Sequence, residues 1–421
     1  MTGKVIVALM MSLTGLASAR SETWAGLYRK EDGGIVAIGE MHEFGHDEIF
    51  VDYTTGETGA LFDGGEGRTG IARAIGDKSP PPAHILERKN GGVLLEGQSL
   101  ATVEIIRRPF EIESAAIRLA GELVRPKEKP KGVVLFVHGS GDGPRRAYDL
   151  WTNFFLSRGW AVVVFDKRGS GKSTGDWHDA DFVTLAGDVR NVLKWTRAQK
   201  ELGGLKVALW GASQAGWIIP QLTAENAVDF AIIQAGPSIP ADDFVRATLE
   251  SELCAYGFPP DEIARAVRYY DLDAAVSRGT KPFADVEKAY AEASAAGAEW
   301  LLKPPDPIKA PDRRFMAAIA GFDPAPYWRK THTPLLVLFG GKDHIVPVEA
   351  NRQRLETLLA EAGNTRTEIV LLKDDNHLNM LAKTGVRTEY ASLNRFDPEY
   401  FKTLSAYLER MAKTVAGLIR S

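Results

Sequence analysis

A single serine between small residues, at the end of an apolar run, constrains this sequence more than any other feature. Residues 207–212 read as a short buried strand, and a helical pattern begins directly after Ser213. Where a strand turns this sharply into a helix, the side chains two positions before and two positions after the serine collide. Gly211 and Ala215 stand at those positions, so the turn is sterically feasible. The pattern G-x-S-x-A therefore predicts a tight turn that exposes a nucleophilic hydroxyl, and a buried structural serine is the alternative.

Short apolar runs alternate with helical patterns on both sides of this turn. The runs cover residues 133–137, 161–165, 207–210, 230–233, 334–339 and 367–372. Continuous apolar runs are typical of strands buried on both faces, and their alternation with helices predicts a mostly parallel sheet with helices on both faces. Because parallel strands end at the same edge of a sheet, polar residues that follow different strands are expected to meet there.

Asp343 and His377 follow the last two of these strands, so the chain order is Ser213, then Asp343, then His377. A serine hydroxyl needs a base within hydrogen-bond reach, and histidine is suited because it titrates near neutral pH. A carboxylate on the other ring nitrogen fixes the required tautomer. We therefore predict that Ser213 attacks, His377 transfers the proton and Asp343 orients His377. Asp374 and Asp375 lie near His377 and are the alternative acids.

A glycine-rich segment, His138-Gly139-Ser140-Gly141, follows the strand at 133–137. In this position, backbone N–H groups can stabilise the negative oxygen that develops when a nucleophile attacks a carbonyl group. We predict that the N–H groups of Ser140 and Gln214 form this oxyanion hole. A plain connection between strand and helix is the alternative for the segment.

Two other motifs are predicted to be structural. Residues 166–173 read D-x-R-G-x-G-x-S, which lacks the glycine spacing of a phosphate-binding loop, so a structural loop near the site is expected. Residues 42–46 match the zinc-binding motif H-E-x-x-H, whose chemistry requires a helix. Gly45 stands inside the motif and strand-like runs flank it, so a polar loop is predicted there, with no metal and no cofactor.

The combination of H-G-S-G, D-x-R-G-x-G-x-S, G-x-S-x-A-G, G-G-x-D-x-x-V-P and N-H resembles the α/β-hydrolase superfamily. The resemblance covers residues 110–418 and extends to exported esterases and dipeptidyl-aminopeptidase-like hydrolases of bacteria. It implies an α/β-hydrolase sheet with a helical lid. The substrate implied is a small-molecule carboxylic ester cleaved through an acyl-enzyme. Peptidase, aminopeptidase-like or thioesterase activity with the same triad is the alternative, and a non-catalytic binding protein with the same fold is a third hypothesis.

The chain divides into regions that differ in their residue patterns. Residues 20–109 show short alternating runs between glycine-rich turns, which predicts a small antiparallel β domain. Residues 237–328 have helical spacing without a strand and are predicted to be the lid insertion. The hydrolase core is then formed by residues 110–236 and 329–421.

The first residues predict export. A lysine, an apolar stretch and Ala17-Ser18-Ala19 precede Arg20, so residues 1–19 are expected to be a signal peptide and the mature protein periplasmic or secreted. Cys254 is the only cysteine of the 421 residues and excludes an internal disulfide. The formal net charge of -4 argues against a nucleic-acid partner, and no later run is apolar for long enough to span a membrane. The sequence indicates no oligomeric state.

Overall fold

The computed structural model describes residues 23–45, 47–65, 68–89, 91–301 and 303–413. These residues form a closed eight-stranded barrel followed by a second, eight-stranded sheet that is flanked by helices. The predicted signal peptide, residues 1–19, lies outside the described residues.

The barrel consists of antiparallel strands, each paired with the next, and its last strand pairs with its first. The strands are β1 (Gly26–Arg29), β2 (Ile35–Gly39), β3 (Ile49–Asp52), β4 (Thr58–Gly65), β5 (Arg68–Ile71), β6 (His84–Lys89), β7 (Gly92–Leu95) and β8 (Gln98–Thr102). Alternate side chains, such as Val36, Ile38 and Phe50, fill its interior. The predicted β-rich N-terminal domain is confirmed, and its form is this barrel.

The second sheet has the strand order β16-β15-β14-β13-β11-β12-β10-β9. Its strands are β9 (Ile105–Ser114), β10 (Ile117–Pro126), β11 (Val133–Val137), β12 (Ala161–Phe165), β13 (Val207–Ala212), β14 (Phe230–Gln234), β15 (Leu335–Gly340) and β16 (Thr367–Leu372). Six neighbouring strands pair in parallel, namely β16, β15, β14, β13, β11 and β12. The hairpin β9–β10 completes the sheet at one edge with antiparallel pairing. Because β9 already begins at Ile105, the sheet starts a few residues before the predicted boundary at 110.

Helices cover both faces of this sheet. They are α1 (Asp149–Ser157), α2 (Phe182–Arg197), α3 (Ala215–Thr223), α4 (Ala241–Ala255), α5 (Pro260–Ser277), α6 (Phe283–Ala295), α7 (Pro311–Ile319), α8 (Ala325–Trp328), α9 (Val348–Glu361) and α10 (Pro398–Lys413). Alternate side chains of β11 enter two separate apolar cores: Leu135 packs in the core with α2, α3 and α9, whereas Phe136 packs in the core with α1 and α10. A strand buried on both faces needs the continuous apolar run that the sequence shows.

The barrel contributes to the second of these cores. Side chains on its outer surface, including Ile35 and Tyr53, pack with those of α1 and α10. The Tyr53 ring meets the rings of Phe154 and Phe401 edge to face, and its hydroxyl donates to the carbonyl of Leu150. Strand β2 is therefore apolar at every position, because one face lines the barrel interior and the other faces the sheet domain.

The stretch from α4 to α8 lies between β14 and β15 in the chain. It has a small apolar core of its own, which includes Leu249, Leu253, Tyr269, Val286 and Trp300. Helix α4 also contacts the segment after β15, since Thr248 Oγ1 donates to the carbonyl of Ile345 at 2.7 Å. None of the helices in the described part of the chain combines the length and the apolar character that crossing a bilayer requires.

Candidate active site

Ser213 lies in the turn between β13 and α3, at the carboxyl end of a central strand. Its φ angle is 53°, a left-handed conformation that is strained for a residue with a side chain. A Cβ atom at Gly211 would lie 2.5 Å from the Cβ of Ala215 and 2.7 Å from the carbonyl oxygen of Val137. The glycine is therefore required for the turn, and the strained conformation holds the serine at the edge of the sheet.

Asp343 and His377 form a hydrogen-bonded pair at the same edge. Asp343 follows β15, His377 follows β16, and the distance from His377 Nδ1 to Asp343 Oδ2 is 2.8 Å. The other carboxylate oxygen of Asp343 accepts the N–H groups of Ile345 and Val346 at 2.8 and 2.9 Å. An ionised carboxylate only accepts, so Nδ1 donates the hydrogen bond and Nε2 of the neutral ring is left as the acceptor nitrogen.

The hydroxyl of Ser213 forms no hydrogen bond with any described residue, so the structure joins Asp343 to His377 but not His377 to Ser213. Hydrogen bonds between a serine and its catalytic base are often long or poorly aligned in the absence of substrate.

The two alternative acids, Asp374 and Asp375, have surroundings that differ from those of Asp343. Asp374 is exposed and pairs with Lys342 at 3.0 Å. Asp375 is fully buried, and burial together with the charge of Asp397 raises its pKa to about 8.

Ser140 lies after β11, in the loop beside the Ser213 turn. Neither its N–H group nor that of Gln214 donates to another described residue, which leaves both free to bind an oxyanion. His138 is buried under this loop, where its Nε2 bonds to the carbonyl of Phe165 at 2.6 Å. Burial lowers the pKa of His138 to about 3, so the imidazole is neutral and supports the loop without carrying charge.

The loop at residues 166–173 lies under the same segment and contains a lysine that the sequence did not single out. Asp166 and Arg145 form a buried ion pair at 2.9 Å, and Arg168 pairs with Asp188 at 2.7 Å. Between them, Lys167 is 2% exposed and its Nζ donates to the carbonyl oxygens of Gly139 and Gly141, at 3.0 Å each. A lysine among charged residues reads as a surface residue, so only the fold reveals this contact.

A second polar group beside Asp343 also escaped sequence reasoning. Glu252 of α4 is 1% exposed and accepts a hydrogen bond from Arg387 Nε at 2.6 Å. Burial raises the pKa of Glu252, the Arg387 charge opposes this, and the Asp343 carboxylate raises it further. The partners lie 135 residues apart, so sequence spacing gives no signal for this ion pair. Nearby, His344 bonds to Ser251 and to the carbonyl of Thr384 and belongs to the loop wall.

The segment with the zinc-like motif lies near the loop at residues 138–141. His42–Phe44 form one turn of 3-10 helix, and His46 lies outside the described residues. A Cβ atom on Gly141 would lie 3.7 Å from His42 Nε2, which places the barrel at the border of the site. Among the described residues, no group of three or more His, Cys, Asp or Glu side chains is placed to hold a metal ion.

Comparison with known proteins gives one family and several distant relatives. A profile of the Alpha/beta hydrolase family matches residues 134–386. A monoacylglycerol lipase of Mycolicibacterium smegmatis is 26% identical over 253 residues, which are 58% of this chain and 82% of the lipase. An esterase of Pyrococcus furiosus superposes with a TM-score of 0.48 and 17% identity over 73% of this chain and 91% of the esterase. The profile match runs from β11 past His377 and leaves the barrel outside.

Proposed function

Because the chain belongs to the alpha/beta hydrolase family, we propose that it is a serine hydrolase that cleaves a carboxylic ester of a small molecule. The observation that carries the proposal is the Asp343–His377 hydrogen bond, at the sheet edge that also bears the strained Ser213 turn. A carboxylate held by two backbone N–H groups and bonded to Nδ1 is the arrangement that orients a histidine so that Nε2 can serve as a base. The lipase named above is a relative with activity on an ester, which agrees with this substrate class.

The reaction proceeds in two halves. Ser213 Oγ attacks the ester carbonyl while His377 Nε2 takes its proton, and the negative oxygen is bound by the N–H groups of Ser140 and Gln214. The C–O bond to the alcohol then breaks, His377 returns the proton to the leaving alkoxide, and an acyl-serine remains. Water attacks the acyl-serine with the same proton transfers, which releases the acid and restores Ser213. The Asp343 carboxylate stabilises the imidazolium in each half.

Labelling with a fluorophosphonate tests the nucleophile. We expect one label per chain, attached to Ser213, and kcat on p-nitrophenyl acetate should fall by about 10⁵- to 10⁶-fold in Ser213→Ala. The matched control is Ser140→Ala, which keeps its backbone N–H and should be labelled like the wild type. Wild-type protein without a label, or an active Ser213→Ala variant, would contradict the assignment.

A panel of substrates separates the alternatives that share this triad. We expect a higher kcat/KM on short soluble esters than on the matched aminoacyl-amide, because an amide needs protonation of a poorer leaving group. A higher kcat/KM on the matched thioester than on the ester would assign the thioesterase function. The helices α4–α8 are proposed as the lid that limits the size of the acyl or alcohol group. Higher kcat/KM on the aminoacyl-amide would assign the peptidase-like function instead.

The cellular location is a separate proposal. We propose that residues 1–19 direct export and are removed, which gives a periplasmic or secreted protein. The intact mass of protein from the native envelope or medium should then correspond to a chain that begins at Arg20. A mass that includes Met1 would contradict the proposal.

A further inference from the structure

Lys167 joins the loop after β12 to the oxyanion segment after β11, and we propose that it is a positioning residue of the oxyanion hole. In this proposal, Lys167 binds the carbonyl groups of Gly139 and Gly141 and thereby aims and polarises the N–H group of Ser140. The inference rests on the proposed serine hydrolase function, because the oxyanion hole has a role only in that reaction.

The geometry of the peptide unit connects the two groups. The carbonyl of Gly139 and the N–H of Ser140 belong to the same planar peptide bond and, in the trans form, point in opposite directions. Lys167 Nζ lies 3.0 Å from the Gly139 oxygen, so the Ser140 N–H is directed away from the lysine. The second bond, also 3.0 Å, ends on the Gly141 oxygen and prevents the segment from rotating about Ser140.

Charge strengthens the donor as well as orienting it. A cation on a carbonyl oxygen draws electrons through the peptide bond, so the N–H on the other side becomes a stronger donor. This effect is large only where water is excluded, and Lys167 is 2% exposed. While Lys167 is protonated, the donor that faces the developing oxyanion is therefore supported by a positive charge one peptide unit away.

The surroundings of Nζ show that it serves these carbonyls and not an ion pair. No carboxylate of a described residue lies within salt-bridge distance of Nζ, and the Trp177 ring centre lies 4.9 Å from it. Burial lowers the pKa of Lys167 to about 7, against the opposing influence of Asp142. The ammonium and the neutral amine both have enough N–H groups for two carbonyls, so the contacts persist on either side of that value.

The loop does not depend on Lys167 for its own conformation. Asp166 accepts from the Arg145 backbone N–H and side chain, and also from the backbone N–H of Lys172. The backbone of Lys167 donates to the Gly143 carbonyl independently of its side chain. A buried lysine costs free energy through desolvation, and these contacts would hold the loop with an apolar residue in its place.

Three variants of the full chain test the proposal. Lys167→Met keeps the length of the side chain and removes its donors, whereas Lys167→Gln keeps an NH2 donor without charge. Lys172→Met is the control, because Lys172 lies in the same loop and is exposed. The measurements are kcat and KM on p-nitrophenyl acetate, the melting temperature and the final extent of fluorophosphonate labelling.

We expect kcat to fall by about 10- to 100-fold in Lys167→Met, less than for loss of a whole oxyanion donor, with KM within about twofold and full labelling. The kcat of Lys167→Gln should lie between that of Lys167→Met and that of the wild type, and the kcat of Lys172→Met should equal that of the wild type. A kcat of Lys167→Met within about twofold of wild type, or a kcat that falls only with the labelled fraction, would overturn the proposal.

Two other results are also decisive. If Lys167→Met does not fold, Lys167→Gln decides: an unchanged kcat overturns the proposal, and a reduced kcat at unchanged KM supports it. If neither variant folds, Lys167 is a folding residue and the proposal fails. The wild type separates failure of this proposal from failure of the proposed function. If the serine hydrolase function were wrong, the wild type itself would show neither turnover nor a label on Ser213.

Discussion

Replacing Asp343 by asparagine tests the tautomer of His377 with almost no change in the shape of the site. The two carboxylate oxygens have different partners in the structure. Oδ1 accepts two backbone N–H groups, at 2.8 and 2.9 Å, and Oδ2 accepts from His377 Nδ1 at 2.8 Å. An asparagine has one oxygen and one NH2 group, so it can satisfy only one of the two sides.

The backbone decides which way this amide faces. If its NH2 group faced the N–H groups of Ile345 and Val346, two donors would lose their acceptor, at a cost of about 1–3 kcal/mol each. Even the lower sum, about 2 kcal/mol, favours the opposite orientation by about 30-fold. The NH2 group therefore faces His377 and donates to Nδ1, which moves the ring proton to Nε2. Nε2 then cannot take the proton of Ser213.

We expect kcat of Asp343→Asn on p-nitrophenyl acetate to fall by about 10⁴-fold at neutral pH, as for other triads with the wrong tautomer. KM and the melting temperature should change little, because the hydrogen bonds of Oδ1 are retained. Asp374→Asn is the matched control, since Asp374 is exposed and paired with Lys342, and it should keep wild-type kcat. Activity of Asp343→Asn within one order of magnitude of wild type would refute the reasoning.

Two further predictions concern stability and pH. Gly211→Ala should lower the free energy of unfolding by about 1–3 kcal/mol and reduce kcat, because its Cβ would lie 2.5 Å from that of Ala215. Gly187→Ala in α2 is the control: its Cβ meets no atom within 4 Å, so it should stabilise the protein by about 0.5–1 kcal/mol. If thermal or urea unfolding showed an equal loss of unfolding free energy in Gly211→Ala and Gly187→Ala, the steric argument for Gly211 would be contradicted. The pKa of Asp375 is raised to about 8 in the folded protein, chiefly by burial, against about 3.9 in an unfolded chain. The folded state thus favours the protonated acid, and stability should fall as pH rises from about 4 through 8. In Asp375→Asn the melting temperature should fall less between pH 6 and pH 9 than in wild type, and parallel curves would count against the raised pKa.

The sequence carries signals for those parts of the candidate site that depend on local chemistry. The Ser213 turn follows from two small residues at fixed distances from the serine, and Asp343 and His377, which form a hydrogen bond, each follow a strand of the sheet. The action of the three residues as a triad stays a prediction. Lys167 and Glu252 could not be found in this way, because their partners depend on how distant segments pack.

The same limit applies to the barrel. Its hairpins were predicted from turn residues and alternating runs, which are local signals. Closure of the barrel was not, because it depends on the pairing of Tyr28 with Thr102 and of Arg29 with Ala101. The packing of Ile35 and Tyr53 on α1 and α10 was also invisible, since an apolar strand position does not show which of two faces it will meet.

This shared core has a consequence for how the chain unfolds. Residues of the barrel and of the second sheet lie in one apolar cluster, and Gly39 approaches α1 so closely that a Cβ atom there would lie 2.7 Å from that of Asp149. Unfolding of the barrel alone would expose the aromatic side chains of α1 and α10 to water, which adds a large unfavourable term to any partly unfolded state. We therefore expect the two β-structures to unfold as one cooperative unit, so that an equilibrium denaturation curve of the chain shows a single transition for both.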